Sequence, residues 1–552
     1  MPLTIGEYLR HLAPALDRAE APYWPPDAFA FCAALLYRSG AYTSVVERWP
    51  PDKAKTKEQW LKSIRKIAKG WRKAAPLAAE PPEEIRTWWK TVRRAKSVSV
   101  TDVPKHPHVT DALLQIVSAA DEACVGIGFP TSKGPDAFEF DALPLFLSRD
   151  VQTLCREVER DRGVVLPKAH TPQNGITIRS LTHNLALYLP GEVTPRWWFQ
   201  PSERLRREWF LNVLILPWPR VVLPRHFSAI RRGKIEMAEG FGFFDCDVRK
   251  DGDFELSDVV KAHEEACERL RYLYGEDGCS IDGIVFPELA LRPNEPLQIA
   301  QQTSAFVVGG VGARLGDARS RNYAAVVIPP ATAPWPQHKH HRWKLTSSQI
   351  EQYGLGSRLD PTVQWWENMQ LENRELNFFA LNDWLTFSVF ICEDLARPDP
   401  VSDLIRAVGP NLVICLLLDG PQLATRWPGR YATVLADDPG CSVLTVTSIG
   451  MAQICIPPGK EPSRVVALWR DARSPGPTEI VMEEDSLGVV LTLRREYVEE
   501  YAADSRSDES ATAYLRLDRV HQIKKKAPSR SSRWTRGPAK NARTALTRKK
   551  IN

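Results

Sequence analysis

Phe387-Ser388-Val389-Phe390-Ile391-Cys392-Glu393-Asp394 is the stretch around which the rest of the chain falls into place. Its first five residues form an apolar strand, and the strand closes on a thiol. Open α/β sheets place their reactive groups at the carboxyl ends of strands. A single buried cysteine is more often core than catalyst, so the thiol needs partners. Ile284-Val285-Phe286-Pro287-Glu288 is a second apolar strand, and it ends in a carboxylate. His341-Arg342-Trp343-Lys344-Leu345 offers a lysine in polar and aromatic company. Glu288, Lys344 and Cys392 follow one another in chain order, each at the end of an element.

The surrounding pattern is that of an α/β protein. Phe210 to Pro217 is a largely apolar strand. Ser257 to Tyr274 follows as a helix with Ser257 as its expected cap. Ile284 to Pro287 is the next strand, so strand, helix and strand form a βαβ unit with a parallel or mixed sheet. Ala305 to Gly310, Tyr323 to Ile328, Asn411 to Leu418 and Ser442 to Ser448 are further strands. Asp399-Pro400 provides cap and first position for a helix ending before Gly409. Val465 to Trp469 and Leu487 to Leu493 close the region. Residues 205–500 therefore predict a sandwich of α and β layers.

The three side chains have complementary chemistry. A free thiol has a pKa near 8.5, so only a small share is thiolate at neutral pH. Glu288 is the candidate general base, taking the thiol proton and returning it to a leaving amine. Lys344 is the candidate cation for the thiolate and for the oxyanion of a tetrahedral intermediate. The backbone N–H of Glu393 is a second candidate oxyanion donor, and one such donor is typically worth about 3–4 kcal/mol of barrier. The implied reaction is acyl transfer from an amide or nitrile carbon through a thioester.

Phe286-Pro287-Glu288, Arg342-Trp343-Lys344-Leu345 and Phe390-Ile391-Cys392-Glu393-Asp394-Leu395 resemble the three signatures of the nitrilase, or carbon–nitrogen hydrolase, superfamily. The resemblance covers about residues 205–500. It implies an αββα sandwich, a Glu-Lys-Cys triad, no cofactor and no metal, with relatives that often pair into dimers. It also implies a second glutamate shortly after the lysine, for which Glu351 is the matching candidate. Arg430-Tyr431-Ala432 and Ser442 to Ser448 resemble the helix and strand that follow the nucleophile in that family. Lipoprotein acyltransferases of this kind need membrane helices, and glutamine-dependent NAD synthetases need an appended ATP-binding loop. Neither is found here. The long polar and aromatic stretch from Ile350 to Asn382 is expected to shape the pocket, which leaves the substrate as a small amide or nitrile of unspecified kind.

The remainder of the chain is bounded more loosely. Residues 1–204 are expected to be mostly helical, regular to about 125 and less so from 126 to 204: Lys55 to Lys73 repeats aromatic and aliphatic residues at helical spacing, Pro81-Pro82-Glu83-Glu84 opens a helix, and His108 to Ala123 and Ser148 to Arg162 are two more. No apolar run reaches the roughly 18 residues of a membrane span, and there is no apolar leader at Met1 to Glu20. Ten cysteines are scattered with no C-x-x-C pair, which fits a reducing cytoplasm better than a disulfide framework. The formal charge of +6 is local in origin. Residues 524–552 hold eleven Lys or Arg and no acid, and the remainder sums to −5. Within a C-terminal extension of 501–552, that tail is expected to be disordered. It is either a solubilising end or a grip on nucleic-acid phosphates or a protein partner. The cluster His338, His340 and His341 is a candidate metal site, but adjacent histidines in a basic loop are more often solvated.

A rival of a different class fits the same residues. A nitrilase-like pseudoenzyme or sensor would keep the pocket to hold a ligand without turning it over. Large appended regions on such domains also associate with bacterial anti-phage defence at the level of fold alone.

Overall fold

The computed structural model describes residues 2–525, apart from 51–53, 130–150, 192, 202–208, 231–237, 276–279, 315–319, 373, 383, 398–400 and 457–460. Most of the basic tail, the Asp399-Pro400 helix start and the first part of Ser148 to Arg162 lie outside the described residues.

Two seven-stranded sheets face each other. The first runs Trp335–His338, Ser320–Val327, Phe306–Arg314, Gly283–Leu291, Phe210–Ile215, Ser486–Val498 and Thr512–Lys524 in spatial order. The second runs Thr478–Val481, Val465–Arg470, Ser442–Thr447, Leu412–Leu417, Thr386–Ile391, Glu375–Ala380 and Thr194–Phe199. The central strands of each are parallel, Phe210–Ile215 with Gly283–Leu291 and Phe306–Arg314, and Thr386–Ile391 with Leu412–Leu417 and Ser442–Thr447. Buried parallel strands have to be apolar on both faces, and these are.

Side chains of the first sheet alternate between two cores. Leu211, Val213, Ile215 and Val285 point into the space between the sheets, where Phe306 stacks on Phe387 of the second sheet at 5.8 Å between ring centroids. Leu214, Ile284 and Phe286 point outward against the helices Leu256–Tyr274 and Glu295–Thr303. Helix Trp427–Asp437 buries Ala432 and Leu435 in the core it shares with the second sheet. The layering is αββα. A small four-stranded sheet of Lys344–Leu345, Gln364–Glu367, Phe241–Cys246 and Phe227–Ala229 adds a third apolar cluster.

The chain before the sandwich is helical in its first 125 residues, with helices Pro25–Ser39, Lys57–Ala74, Glu83–Arg94 and Pro107–Ala123. After that one expected helix fails. The described part of Ser148 to Arg162 is irregular, because the buried Asp27 carboxylate accepts the backbone N–H groups of Arg156, Glu157 and Val158 at 3.0, 3.0 and 3.3 Å. A carboxylate from another helix thus satisfies donors that a helix would have used. Helix Leu256–Tyr274 begins one residue before Ser257, with Glu255 in the capping position.

The sandwich extends past 205–500 at both ends. Thr194–Phe199 lies parallel to Glu375–Ala380 and forms an edge of the second sheet. Thr512–Lys524 pairs along the whole of Ser486–Val498. The two parts of the chain are also joined by charge: the fully buried Arg506 donates to Asp121 at 2.7 Å, Glu122 at 3.1 Å and Asp504 at 2.7 Å. Among the described residues, no helix is long and apolar enough to cross a membrane.

Candidate active site

Cys392 sits at the turn between strand Thr386–Ile391 and the short helix Glu393–Ala396. Its backbone has φ 47° and ψ −109°, a region that non-glycine residues rarely enter. Its N–H donates to Leu416 O at 2.9 Å and its carbonyl accepts from Leu395 N at 3.1 Å, which holds the strained turn in place. Strain of this kind costs about 1–3 kcal/mol and gathers at functional sites.

Glu288 lies in strand Gly283–Leu291, where the pairing with Phe306–Arg314 shifts between Phe286 and Leu291. The strand bulges there, with Leu289 at φ 58°. Gly310 makes the bulge possible: a Cβ at Gly310 would lie 2.4 Å from Glu288 Cα and 2.6 Å from Leu289 N. Glu288 Oε2 accepts the backbone N–H of Leu418 at 2.8 Å, from the loop after the strand that neighbours Cys392.

The lysine that meets Glu288 is Lys339. Its Nζ donates to Glu288 Oε1 at 2.7 Å and to Glu367 Oε2 at 2.6 Å. Asn322 Nδ2 closes the square, donating to Glu288 Oε1 and Glu367 Oε1 at 2.7 Å each. Trp343 N–H donates to Glu367 Oε2 at 3.0 Å. Glu288, Lys339, Asn322 and Cys392 are buried at 1, 2, 4 and 3% exposure, so each charge depends on the others rather than on water.

Two expected positions change accordingly. Lys344 points to solvent: in the two-residue strand Lys344–Leu345, Leu345 turns inward and Lys344 outward, with its Nζ 5.3 Å from the Trp366 ring centroid. Strand alternation forces this, since adjacent residues face opposite sides. Glu351 is exposed on helix Ser347–Gln352, and the second glutamate near the lysine is Glu367. Glu393 stands where expected, as the first residue of the helix after Cys392, so its N–H has no intrahelical acceptor. Its carboxylate turns away to Arg397 at 3.0 Å.

The histidine run that carries Lys339 is fastened to the nucleophile turn. Asp394 accepts from the backbone N–H groups of His340 and His341, each at 3.1 Å, and from His341 Nδ1 at 2.9 Å. His340 Nε2 lies 3.0 Å from the Glu375 carbonyl. His340 Nε2 and His341 Nδ1 serve these bonds, and among the described residues no group of three or more His, Cys, Asp or Glu is arranged to hold a metal ion.

Electrostatics bias each of these groups. Burial, then the Glu288 carboxylate, push the Cys392 thiol well above its ordinary pKa, against the pull of Lys339. Burial also raises Glu288, with Lys339 opposing and Glu367 reinforcing. Burial opposes the Lys339 ammonium, but Glu288, Glu367 and Cys392 together hold it well above its usual range. Burial thus opposes ionisation of the thiol, while the neighbouring acids favour the Lys339 ammonium. Asp419 is a further charge felt by the thiol, and it is held by Arg426 at 3.0 Å and Trp427 Nε1 at 3.0 Å. A cavity of about 250 Å³ lies behind the carboxylates, lined by Leu289, Asn322, Glu367 and Asn368 among others, with Cys392 outside its lining.

Lys339 is not singled out from the sequence, and its placement is visible only once the strand before it is seen. It directly follows strand Trp335–His338, the same carboxyl-end placement that singles out Cys392.

No protein-family model and no curated protein matches this chain. Solved structures do. Glutamine-dependent NAD+ synthetase from Acinetobacter baumannii overlaps 58% of this chain at 14% identity and a TM-score of 0.31. The chain spans about half of that enzyme, 48%. An amidase mutant from Nesterenkonia sp. AN1, with an acetamide moiety covalently added at its active-site cysteine, overlaps 51% of this chain and 89% of its own at 10% identity and a TM-score of 0.32. Saccharomyces cerevisiae Nit3, a member of branch 10 of the nitrilase superfamily, overlaps 59% of this chain and 93% of its own at 10% identity and a TM-score of 0.30. The overlaps are partial and give no residue correspondence. The layering described above is the αββα sandwich expected from the sequence.

Proposed function

We propose that the chain is a carbon–nitrogen hydrolase that cleaves a small amide or nitrile through a thioester on Cys392. The observation that supports this most directly is the bond from Lys339 Nζ to Glu288 Oε1 at 2.7 Å, in a buried site that Cys392 enters on a strained turn. Glu288 takes the thiol proton as Cys392 Sγ attacks the carbonyl carbon. Lys339 and the Glu393 N–H stabilise the oxyanion that forms. Glu288 then gives its proton to the leaving nitrogen, the C–N bond breaks, and the acyl group remains on sulfur. Water, deprotonated by Glu288, attacks the thioester and restores the thiol with release of the acid. Glu367 and Asn322 keep Lys339 charged and Glu288 oriented without touching the substrate.

A second reading has its own observation in favour. Cys392, Glu288 and Lys339 are almost wholly enclosed, and the cavity of about 250 Å³ stops at Glu367 and Asn322. A site so closed suits a domain that holds a ligand and signals, or an enzyme that opens first.

Ammonia release from a panel of short aliphatic and aromatic amides and nitriles, with Cys392→Ala beside wild type, separates the two. Turnover by wild type and none by the variant supports the hydrolase. Tight ligand binding with no turnover by either supports the sensor.

A further inference from the structure

Charge is segregated in this molecule. From Ala54 to Lys96 there are thirteen Lys or Arg and four Glu. Outside that segment and the 524–552 tail, acids outnumber bases 63 to 49. The basic residues stand on two helices, Lys57–Ala74 and Glu83–Arg94. Each turns its apolar stripe inward, Trp60, Ile64, Ile67 and Trp71 on the one and Ile85, Trp89 and Val92 on the other, into the core that contains helix Pro107–Ala123. The cations face out.

Several of those cations are unneutralised. Lys66, Lys73, Lys90 and Arg94 are exposed and have no ion-pair or hydrogen-bond partner among the described residues. Arg86, Lys90 and Arg94 follow at intervals of four, which sets them about 6 Å apart along the helix. They line a groove of about 530 Å³ with Arg93 and Lys96, where five cations face the two acids Glu20 and Glu83. A second groove of about 680 Å³ is lined by Arg65, Lys66, Lys69 and Arg72 on the other helix, with Glu122, Asp508 and Glu509 on its far side and Arg65 paired to Glu509 at 2.8 Å.

We propose that these two helices form a phosphate-binding face for a nucleic-acid duplex. Rows of like charge at short spacing match a backbone that carries one charge per about 1.7 Å of duplex axis. Stacking on single-stranded bases would need exposed rings, and Trp60, Trp71 and Trp89 are buried while Trp88 is half-buried against the core. A membrane surface would need a free apolar face on the helix, and both apolar faces are used in the core. A protein partner is less suited to this face, because lysine is depleted in protein–protein interfaces. The face is remote in sequence from the Cys392 site and independent of its chemistry.

The test is binding of the full chain to a labelled 24-base-pair DNA duplex across a salt series. The comparison is with a variant carrying Lys66→Glu, Lys73→Glu, Lys90→Glu and Arg94→Glu. Four phosphate contacts give a slope of about −3.6 in log affinity against log salt, or a loss of about 100-fold between 50 and 200 mM. The variant should lose that share of the slope, and a version with Gln at the four positions should lose the same. Equal slopes for wild type and both variants overturn the proposal and leave any binding to the tail. Tighter binding to the single strand than to the duplex also overturns it. So does a loss confined to anionic vesicles of phosphatidylserine and phosphatidylcholine. Thermal unfolding of the variants within a few degrees of wild type shows that they remain folded.

Discussion

The Asp394 carboxylate holds the backbone of His341, accepting its N–H at 3.1 Å and its ring Nδ1 at 2.9 Å. Asp394 follows the nucleophile by two residues and His341 follows Lys339 by two. One carboxylate therefore sets the distance between the thiol and the ammonium, although it bonds to neither in this structure.

Asp394→Ala should cost about 2–3 kcal/mol in urea unfolding, the scale of hydrogen bonds to a buried charge. The larger effect should be on activity, since a displacement near 1 Å can cost about 100-fold. Asp394→Asn, which keeps an acceptor oxygen, should recover part of both.

Lys339→Ala and Lys344→Ala should differ sharply. Removing Lys339 leaves Glu288 and Glu367 buried without their cation, which costs about 3–5 kcal/mol and abolishes turnover. Lys344 is a surface side chain, so its loss should stay within about 0.5 kcal/mol and leave turnover intact. Paired unfolding curves and ammonia assays measure both.

Gly310→Ala should act on Glu288 through the backbone. The added methyl would press on Glu288 Cα and on the Pro287 carbonyl at 2.4 and 2.6 Å. Overpacking at this level costs about 1–3 kcal/mol, and the shift of the carboxylate should lower kcat more than it changes substrate affinity. A steady-state comparison of kcat and KM tests this.

A pH effect should come from Lys168, which is almost wholly buried and donates to the Arg179 carbonyl and, at 2.6 Å, to the Thr182 carbonyl. Burial lowers its pKa to about 7, against Asp121 and Glu500. In the unfolded chain it stays charged to about 10.4. Between these values the unfolded state binds the extra proton, so stability rises with pH, and it is lost as pH falls toward 7. The slope is about 1.4 kcal/mol per pH unit for one group. Urea unfolding from pH 7 to 9 should show it as a difference between wild type and Lys168→Gln. A flat difference would mean that Lys168 keeps its proton throughout.

What the sequence made legible follows from how each residue is supported. Cys392 follows, and Glu288 lies within, an apolar strand buried on both faces, and such strands announce themselves in composition. Lys339 follows a four-residue edge strand containing Pro336, whose residues alternate in exposure and give no apolar run. Glu367 lies in a strand paired with Phe241–Cys246, a partner more than a hundred residues earlier. Neither is buried because of its own neighbours in sequence. Each is buried because the other, with Glu288, neutralises it. That dependence is a property of the assembled site and has no local signature. The same holds for the irregular segment after 150, where Asp27 from a distant helix replaces the helical bonds.

Strand Thr194–Phe199 gives the first part of the chain a further role. It is the outermost strand of the second sheet, two strands from the one that ends at Cys392. A fragment beginning at residue 205 would strip it away and bare the long flank of Glu375–Ala380, with its unpaired N–H and C=O groups and its buried Leu376 and Phe378. Bare flanks of that kind recruit strands from other molecules. Strand Thr194–Phe199 is thus the selvedge of the second sheet, the woven border that covers its flank.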